Sequence, residues 1–107
     1  MDVATAVRDA DTAALVAGRA YFRTKMQGRD GDCCGFSWVE VSRATPAQRA
    51  ALDAAGFTSF SSTTLTRTFD HGAQTQGLSC KEAANEAAAA VLRRAGLAAC
   101  SRWACCF

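Results

Sequence analysis

The chain has 107 residues, of which 50% are apolar and 21% charged, and its formal net charge is +2. This composition excludes a disordered chain and predicts one domain over residues 1–107, made of an N-terminal helical segment at 1–27 and an α/β core at 33–107. The near-balanced charge also excludes the class of strongly basic proteins that bind nucleic acid through net charge alone.

The first residues, MDVATAVRDAD, show neither the basic start nor the apolar core of a secretory signal peptide. The chain also has no apolar run near the ~18 to 20 residues that a membrane-spanning helix needs. We therefore expect no membrane partner and a cytoplasmic location, in which thiols stay reduced.

A long N-terminal helix is predicted over residues 2–26, with Asp2 able to cap its start. Gly18 weakens the middle of this helix, so the pattern allows one bent helix or two shorter ones. Residues 27–32, QGRDGD, are turn formers and predict a loop. The apolar positions that recur at near-helical spacing are Val3, Val7, Ala10, Ala14 and Leu15.

The segment CGFSWVEV, residues 34–41, is the clearest strand. Its alternation places Phe36 and Trp38 on one face, and Val39 and Val41 on the other. Because both faces carry apolar side chains, we expect this strand to be central in its sheet.

A short helix is predicted over residues 45–55 because both of its ends carry clear signals. Thr45 is a typical N-cap, Pro46 occupies the first helical position, and Gln48 is placed to complete a capping box. Gly56 follows the last turn, where a left-handed residue commonly ends a helix.

The remaining elements are two strands and a helix. Residues 58–69 are rich in threonine and alternate, which predicts a strand with one polar face, suited to a sheet edge. An alanine-rich helix is predicted over 80–95, with Ser79 and Glu82 as its capping box. Residues 98–107 predict the last strand.

This order of elements favours the α+β class. We expect a small two-layer sandwich, with two or three helices on a mainly antiparallel sheet of about three strands. The segments RAALDAAGF and AAVLRRAGL both run from helix through Ala-Gly to strand, which suits two helix–strand hairpins, although glycine ends helices of every kind.

The six cysteines allow three interpretations: a metal site, disulfides, or packing. The pairs Cys33–Cys34 and Cys105–Cys106 are adjacent, whereas zinc sites favour ligands two to four residues apart. Disulfides would require an oxidising compartment. We favour packing, and we expect no metal and no other cofactor. The cysteines expected to be buried small side chains are Cys34, Cys100 and Cys105.

A nucleophilic pair is the one catalytic alternative. His71 is the only histidine, and Cys80 lies nine positions later at a predicted helix N-terminus, where the pKa of a thiol can fall. No oxyanion-hole motif accompanies the two residues. We therefore expect no catalytic residues and a protein that is not an enzyme.

Basic and polar residues supply the candidate binding surfaces. The stretch RAYFRTKMQGR, residues 19–29, interleaves cations with aromatic rings, as proteins that stack on bases do, although a solvated helix face shows the same pattern. The loop DHGAQTQGLS, residues 70–79, leads into a helix N-terminus, which favours anions. The candidate binding residues are Arg19, Arg23, Lys25, Arg29, His71, Gln74, Gln76, Arg93 and Arg94.

Three segments carry a resemblance to a known family: CGFSWVEV, LDAAGF and GAQTQGLSCKEAANEAAAAVLRRAGLAA. Over residues 33–102 the chain resembles a family of small uncharacterised proteins encoded by tailed bacteriophages and prophages. It departs from that family in its threonine-rich third segment and in its tail, WACCF. The resemblance implies a bacterial host cell and no known activity, and it transfers no functional residue.

The resemblance and the lack of catalytic groups together predict a small binding protein that modulates a host macromolecule, with a counter-defence inhibitor such as an anti-CRISPR protein as the concrete form. A host protein or complex is the favoured partner, and direct nucleic-acid binding is less favoured. The alternatives are sequestration of a nucleotide signal by residues 70–79 and a cysteine-based metal module. The tail WACCF either closes the sheet or pairs two copies into a homodimer.

Overall fold

The computed structural model describes residues 2–28, 34–75 and 77–105. These residues form three helices and one antiparallel sheet of four strands in the order β2-β3-β1-β4. The α+β class is therefore confirmed. The elements are α1 (Val3–Thr24), β1 (Gly35–Ser42), α2 (Pro46–Ala54), β2 (Thr58–Ser59), β3 (Thr64–Arg67), α3 (Leu78–Arg94) and β4 (Ala98–Cys105).

The sheet has four strands where about three were expected, because the single strand predicted over 58–69 folds as a hairpin. Strands β2 and β3 pair with each other, and the backbone N–H groups of Phe60 and Ser61 both donate to the carbonyl of Thr64 at the turn. Serine and threonine favour such turns because their side chains bond to nearby backbone. The edge position expected for this segment belongs to β2, and β3 lies inside the sheet.

The helices cover one face of the sheet. The buried residues of β1 all lie on that face, and Val39 and Val41 join one core with residues of the helices. The opposite face of β1 carries Phe36 and Trp38, and none of the described strands has a buried residue there. The predicted two-layer arrangement and the central position of β1 are thus both confirmed.

Helix α1 is a single helix, and Gly18 does not interrupt it. Its start is capped as predicted, since the Asp2 carboxylate accepts from the N–H of Thr5 at 2.7 Å. Gly18 is required by packing instead: a Cβ at this position would lie 2.0 Å from the carbonyl oxygen of His71. The close approach brings the end of α1 against the first turn of α3, where Cys80 donates to the carbonyl of Gly18 at 3.1 Å.

The start of α2 matches its prediction, and the start of α3 differs from its prediction. Helix α2 has the predicted capping box, with Gln48 N–H donating to the Thr45 hydroxyl at 3.2 Å and Thr45 N–H donating to the Gln48 side chain at 2.9 Å. The capping box predicted at Ser79 is wrong, because α3 begins at Leu78 after Gly77, which provides no side-chain cap. Gly77 forms a bridge with Cys34 of the neighbouring chain segment, so tertiary pairing sets this helix start.

Candidate binding pocket beside strand β1

A pocket opens where β3 stops pairing with β1. The ladder between the two strands ends at Val39 and Arg67, and the chain touches β1 again only at Gly77, opposite Cys34. The first half of β1 therefore pairs with β4 alone. The pocket holds about 330 Å³ and is lined by Phe36, Ser37, Thr68, Phe69, Asp70, His71 and Lys81.

Asn85 of α3 explains why the ladder ends. Extending the register of Val39 and Arg67 by two residues would set Phe69 opposite Ser37. Instead, the N–H of Phe69 donates to the Asn85 side chain at 2.9 Å, and the Asn85 amide donates to the carbonyl of Lys81 at 2.9 Å. Asn85 is fully buried. One buried amide therefore turns the chain away from β1 and leaves space for the pocket.

The backbone groups of Ser37 in β1 are directed toward this pocket. In an antiparallel sheet, both backbone groups of a residue point to the same neighbour, and successive residues alternate sides. The carbonyl of Gly35 accepts from the Lys81 ammonium at 2.7 Å, on the side away from β4. The alternation then directs the backbone N–H and C=O of Ser37 to the same side, into the pocket.

The mouth of the pocket combines a cation with an exposed aromatic ring. Phe36 keeps 63% of its surface exposed, and the ammonium of Lys81 lies 5.7 Å from the centre of its ring. A cation at this distance is attracted by the ring face. The pair offers a positive charge and an apolar surface to the same ligand or partner.

His71 and Cys80 come together, but both serve the structure. The Cys80 thiol is fully buried, donates to the carbonyl of Gly18, and lies 3.8 Å from Nδ1 of His71. The same Nδ1 accepts from the N–H of Ala73 at 3.1 Å. A nucleophilic cysteine needs an accessible thiolate, and this thiol has no access to a substrate.

The pKa of His71 is lowered, chiefly because burial disfavours the imidazolium; the Asp70 carboxylate opposes the shift, and Lys81 adds to it. Since Nδ1 accepts from backbone, the neutral ring carries its proton on Nε2. His71 is therefore a neutral polar group at the pocket wall.

We expect the ring of His71 to titrate below the ordinary histidine value of about 6.5. The folded state then binds fewer protons than the unfolded state, so the stabilisation is complete above about pH 6.5 and is lost as pH falls through the folded pKa. An NMR titration of the ring Cε1–H measures the midpoint, and His71→Gln should lessen the loss of stability on acidification over this range. A midpoint at or above the ordinary value would contradict this assignment.

Five of the predicted binding residues lie at one end of the molecule, which we call the basic end: Arg19, Arg23, Lys25, His71, Gln74, together with Lys81. Arg19 holds the end together, because its Nε donates to the carbonyl of Gly72 at 3.1 Å and so joins α1 to the 68–75 loop. Arg23, Lys25 and Gln74 are exposed. Arg29 and Gln76, also predicted, lie outside the described residues.

Arg93 and Arg94 lie at the opposite end of α3. At ~1.5 Å per residue, Arg93 is about 20 Å further along the helix than Cys80. Arg93 donates to the carbonyl of Ala99 at 3.1 Å and to the Glu86 carboxylate at 2.7 Å, so it ties α3 to β4. The geometry therefore divides the predicted residues into two separate groups.

The sequence did not single out Lys81 and Phe36, which line the pocket, or Asn85, which binds the backbone of Phe69 beside it. Lys81 stands in the pattern SCKEA and could have been found as a cation in the first turn of a helix. Phe36 was placed on the correct face of its strand, but its exposure depends on which face the helices cover. Asn85 carries no local signal, because its partner Phe69 is 16 residues away.

Among the described cysteines, Cys34, Cys100 and Cys105 are free thiols. The expectation of buried side chains is wrong for Cys34, which is exposed, and Cys100 and Cys105 are only partly buried. In the described parts of the chain, no group of three or more His, Cys, Asp or Glu residues is arranged to hold a metal ion.

No protein-family model, curated protein or solved structure matches the chain at a significant level. Among the helices described, none is both long enough and apolar enough to cross a membrane. The residues of the pocket and of the basic end are therefore the basis for a proposed function.

Proposed function

We propose that the chain is a small non-enzymatic binding protein of bacteriophage type, which acts in the cytoplasm of a bacterial host and modulates a host protein complex through its basic end. The observation that carries this proposal is that cations of two helices flank the same loop: Arg19 of α1 donates to the carbonyl of Gly72, and Lys81 of α3 lines the pocket beside the exposed Phe36. Inhibition of a CRISPR-Cas complex is the concrete form of this function.

The composition of the basic end suits a protein partner. Aromatic and arginine side chains supply most of the binding energy at protein interfaces, and clustered charges accelerate and orient association. Arg23 and Lys25 are exposed at the end of α1, and Phe36 supplies an apolar anchor next to Lys81. The complementary partner surface is acidic, with an apolar group that can contact Phe36.

The state of the two potentially catalytic groups supports a binding role. Cys80 is fully buried and donates to backbone, and the Nδ1 atom of His71 accepts from backbone. A general base needs an available lone pair within reach of a substrate proton. In this pocket the imidazole of His71 lines the wall, and its Nε2–H can donate a hydrogen bond.

Binding of a small anionic ligand, such as a nucleotide, is the second candidate, because the cation of Lys81 and the exposed ring of Phe36 line the same pocket. Its volume of about 330 Å³ lies at the small end of the range for ligand pockets. Lys81 would meet a phosphate, and the ring of Phe36 would stack on a base. Native mass spectrometry of the protein purified from bacterial cytoplasm tests this candidate, since a retained nucleotide adds its mass to that of the chain.

Reversing the exposed charges of the basic end tests the proposal. We expect Arg23→Glu with Lys25→Glu to lower capture of the host partner at least about tenfold, because both cations then repel an acidic surface. The control is Arg8→Glu with Arg94→Glu, which makes the same change in net charge on exposed helical positions away from the pocket. Quantitative mass spectrometry of proteins captured from bacterial cells measures the effect.

Equal losses for both double variants would refute a role for the basic end. If nuclease treatment abolishes capture and binding weakens steeply with salt, the partner is nucleic acid, and the protein-binding form of the proposal is wrong. In cells that carry a CRISPR-Cas system and its target plasmid, the wild-type chain should increase plasmid survival and the Arg23→Glu, Lys25→Glu variant should not.

A further inference from the structure

Strand β4 presents an open edge. It spans Ala98–Cys105 and pairs with β1 along its whole length, while its other side has no neighbour among the described strands. An exposed strand edge offers backbone donors and acceptors to another strand, and proteins usually protect such edges. At the opposite edge of this sheet, β2 is only two residues long.

The contacts of β4 show which residues point their backbone groups outward. The carbonyl of Arg102 accepts from the Ser37 hydroxyl of β1 at 2.8 Å, so Arg102 faces inward. Ala99 faces outward, because its N–H donates to the carbonyl of Leu97 and its carbonyl accepts from Arg93. Successive residues alternate, so Ser101, Trp103 and Cys105 also direct their backbone groups to the open edge.

The edge is protected at one end and open at the other. Arg93 donates to the carbonyl of Ala99, and this hydrogen bond blocks strand addition at that position. Further along the strand, Trp103 keeps 58% of its surface exposed. The nearest charge, Arg102, is directed to the other face of the sheet, where it pairs with Glu40 at 3.2 Å. The accessible part of the edge is thus the segment from Ser101 to Cys105.

Of the antiparallel self-pairings centred on Ser101, Arg102 and Trp103, the one centred on Trp103 uses this segment without conflict. Pairing centred on Ser101 would require the backbone groups of Ala99, which are already bonded. Pairing centred on Arg102 would set two arginines directly opposite each other, and like charges in that position are destabilising. Pairing centred on Trp103 sets Trp103 against Trp103 of the second copy, Ser101 against Cys105, and Arg102 against Ala104.

We propose that a second copy of this chain docks on β4, antiparallel and centred on Trp103, so that the two sheets join into one sheet across a two-fold axis. Both copies contribute the same segment, as a closed two-fold interface requires. The two indole rings meet on the helix-covered face, and cross-strand aromatic pairs are favourable. The basic end remains open, since Lys81 bonds to the carbonyl of Gly35 on the side of β1 away from β4.

A charge-swap experiment tests both the partner and the register. Trp103→Lys and Trp103→Glu each place like charges opposite each other in the homodimer, so each variant alone is expected to be monomeric. An equimolar mixture is expected to restore a dimer, because the heterodimer places lysine opposite glutamate. Sedimentation equilibrium of the full chain under reducing conditions measures the masses, and the reductant prevents dimers linked through cysteine.

Phe60→Lys provides the matched control, because Phe60 is 74% exposed beside the other edge of the sheet. We expect this variant to dimerise with the wild-type affinity, and Trp103→Lys to weaken association at least about tenfold. The proposal is overturned if the wild-type chain is monomeric at every concentration up to about 1 mM. It is also overturned if Trp103→Lys dimerises as the wild type does, or if the mixture stays monomeric while circular dichroism shows both variants folded.

Discussion

Replacing Gly18 with alanine is expected to destabilise the protein by about 2 kcal/mol or more, although the same change in an ordinary helix would stabilise it by about 1 kcal/mol. The new Cβ would lie 2.0 Å from the carbonyl oxygen of His71 and 2.7 Å from its carbonyl carbon. These are backbone atoms, so α1 or the 68–75 loop must move. Chemical denaturation measures the free energy of unfolding.

The matched control is Ala17→Gly, one position earlier in the same helix. It removes a methyl group from a half-buried position and is expected to cost about 1 kcal/mol through helix propensity alone. If Gly18→Ala proved as stable as the wild type, the close contact between α1 and His71 would be wrong. The basic end would then lose the packing that joins its two parts.

Replacing Asn85 with alanine is expected to cost about 3 kcal/mol, since a buried N–H that loses its acceptor costs most of its desolvation energy. The acceptor in question is the Asn85 side-chain oxygen, which is 2.9 Å from the N–H of Phe69. The variant also removes the contact that turns the chain away from β1. Urea denaturation gives the stability, and hydrogen exchange of the Phe69 amide reports on the lost bond.

Glu82→Ala is the control for Asn85→Ala, because Glu82 is a half-buried polar residue about one turn earlier in α3. We expect it to change stability by less than about 1 kcal/mol. Should Asn85→Ala leave both stability and the exchange of Phe69 unchanged, Asn85 would not be the residue that opens the pocket.

Local chemistry was enough to predict the elements whose signals lie within a few residues. The capping box of α2, the Asp2 cap of α1 and the faces of β1 follow from capping geometry and from two-residue alternation. The α+β class and the two layers follow from the order of these elements.

Contacts between residues far apart in the sequence determine the features that local patterns did not predict. Gly18 indicated a weak point in a helix, but in the folded chain it allows a close approach to His71, 53 residues later in the sequence. The start of α3 is set by the bridge between Gly77 and Cys34, and not by a serine cap. Tertiary contacts of this kind override local propensity.

The candidate site could be predicted only in part, because residue type identified some of its residues but the contacts between them are long-range. Arg19 and His71 were identified by residue type. Only the fold shows that both lie where α1 contacts the 68–75 loop: Gly18 packs against the backbone of His71, and Arg19 donates to the carbonyl of Gly72. Arg93 was identified by charge, but its bonds to Ala99 and Glu86 give it a structural role that charge alone does not reveal.

The central claim is that the basic end and its pocket bind a host protein. Hydrogen–deuterium exchange of the captured complex, compared with the free protein, tests it most directly. We predict at least about tenfold slower exchange at residues 69–75 and at the end of α1, with no change around Arg94. Slower exchange around Arg94, with residues 69–75 unchanged, would contradict the claim and move the binding surface to the other end of α3.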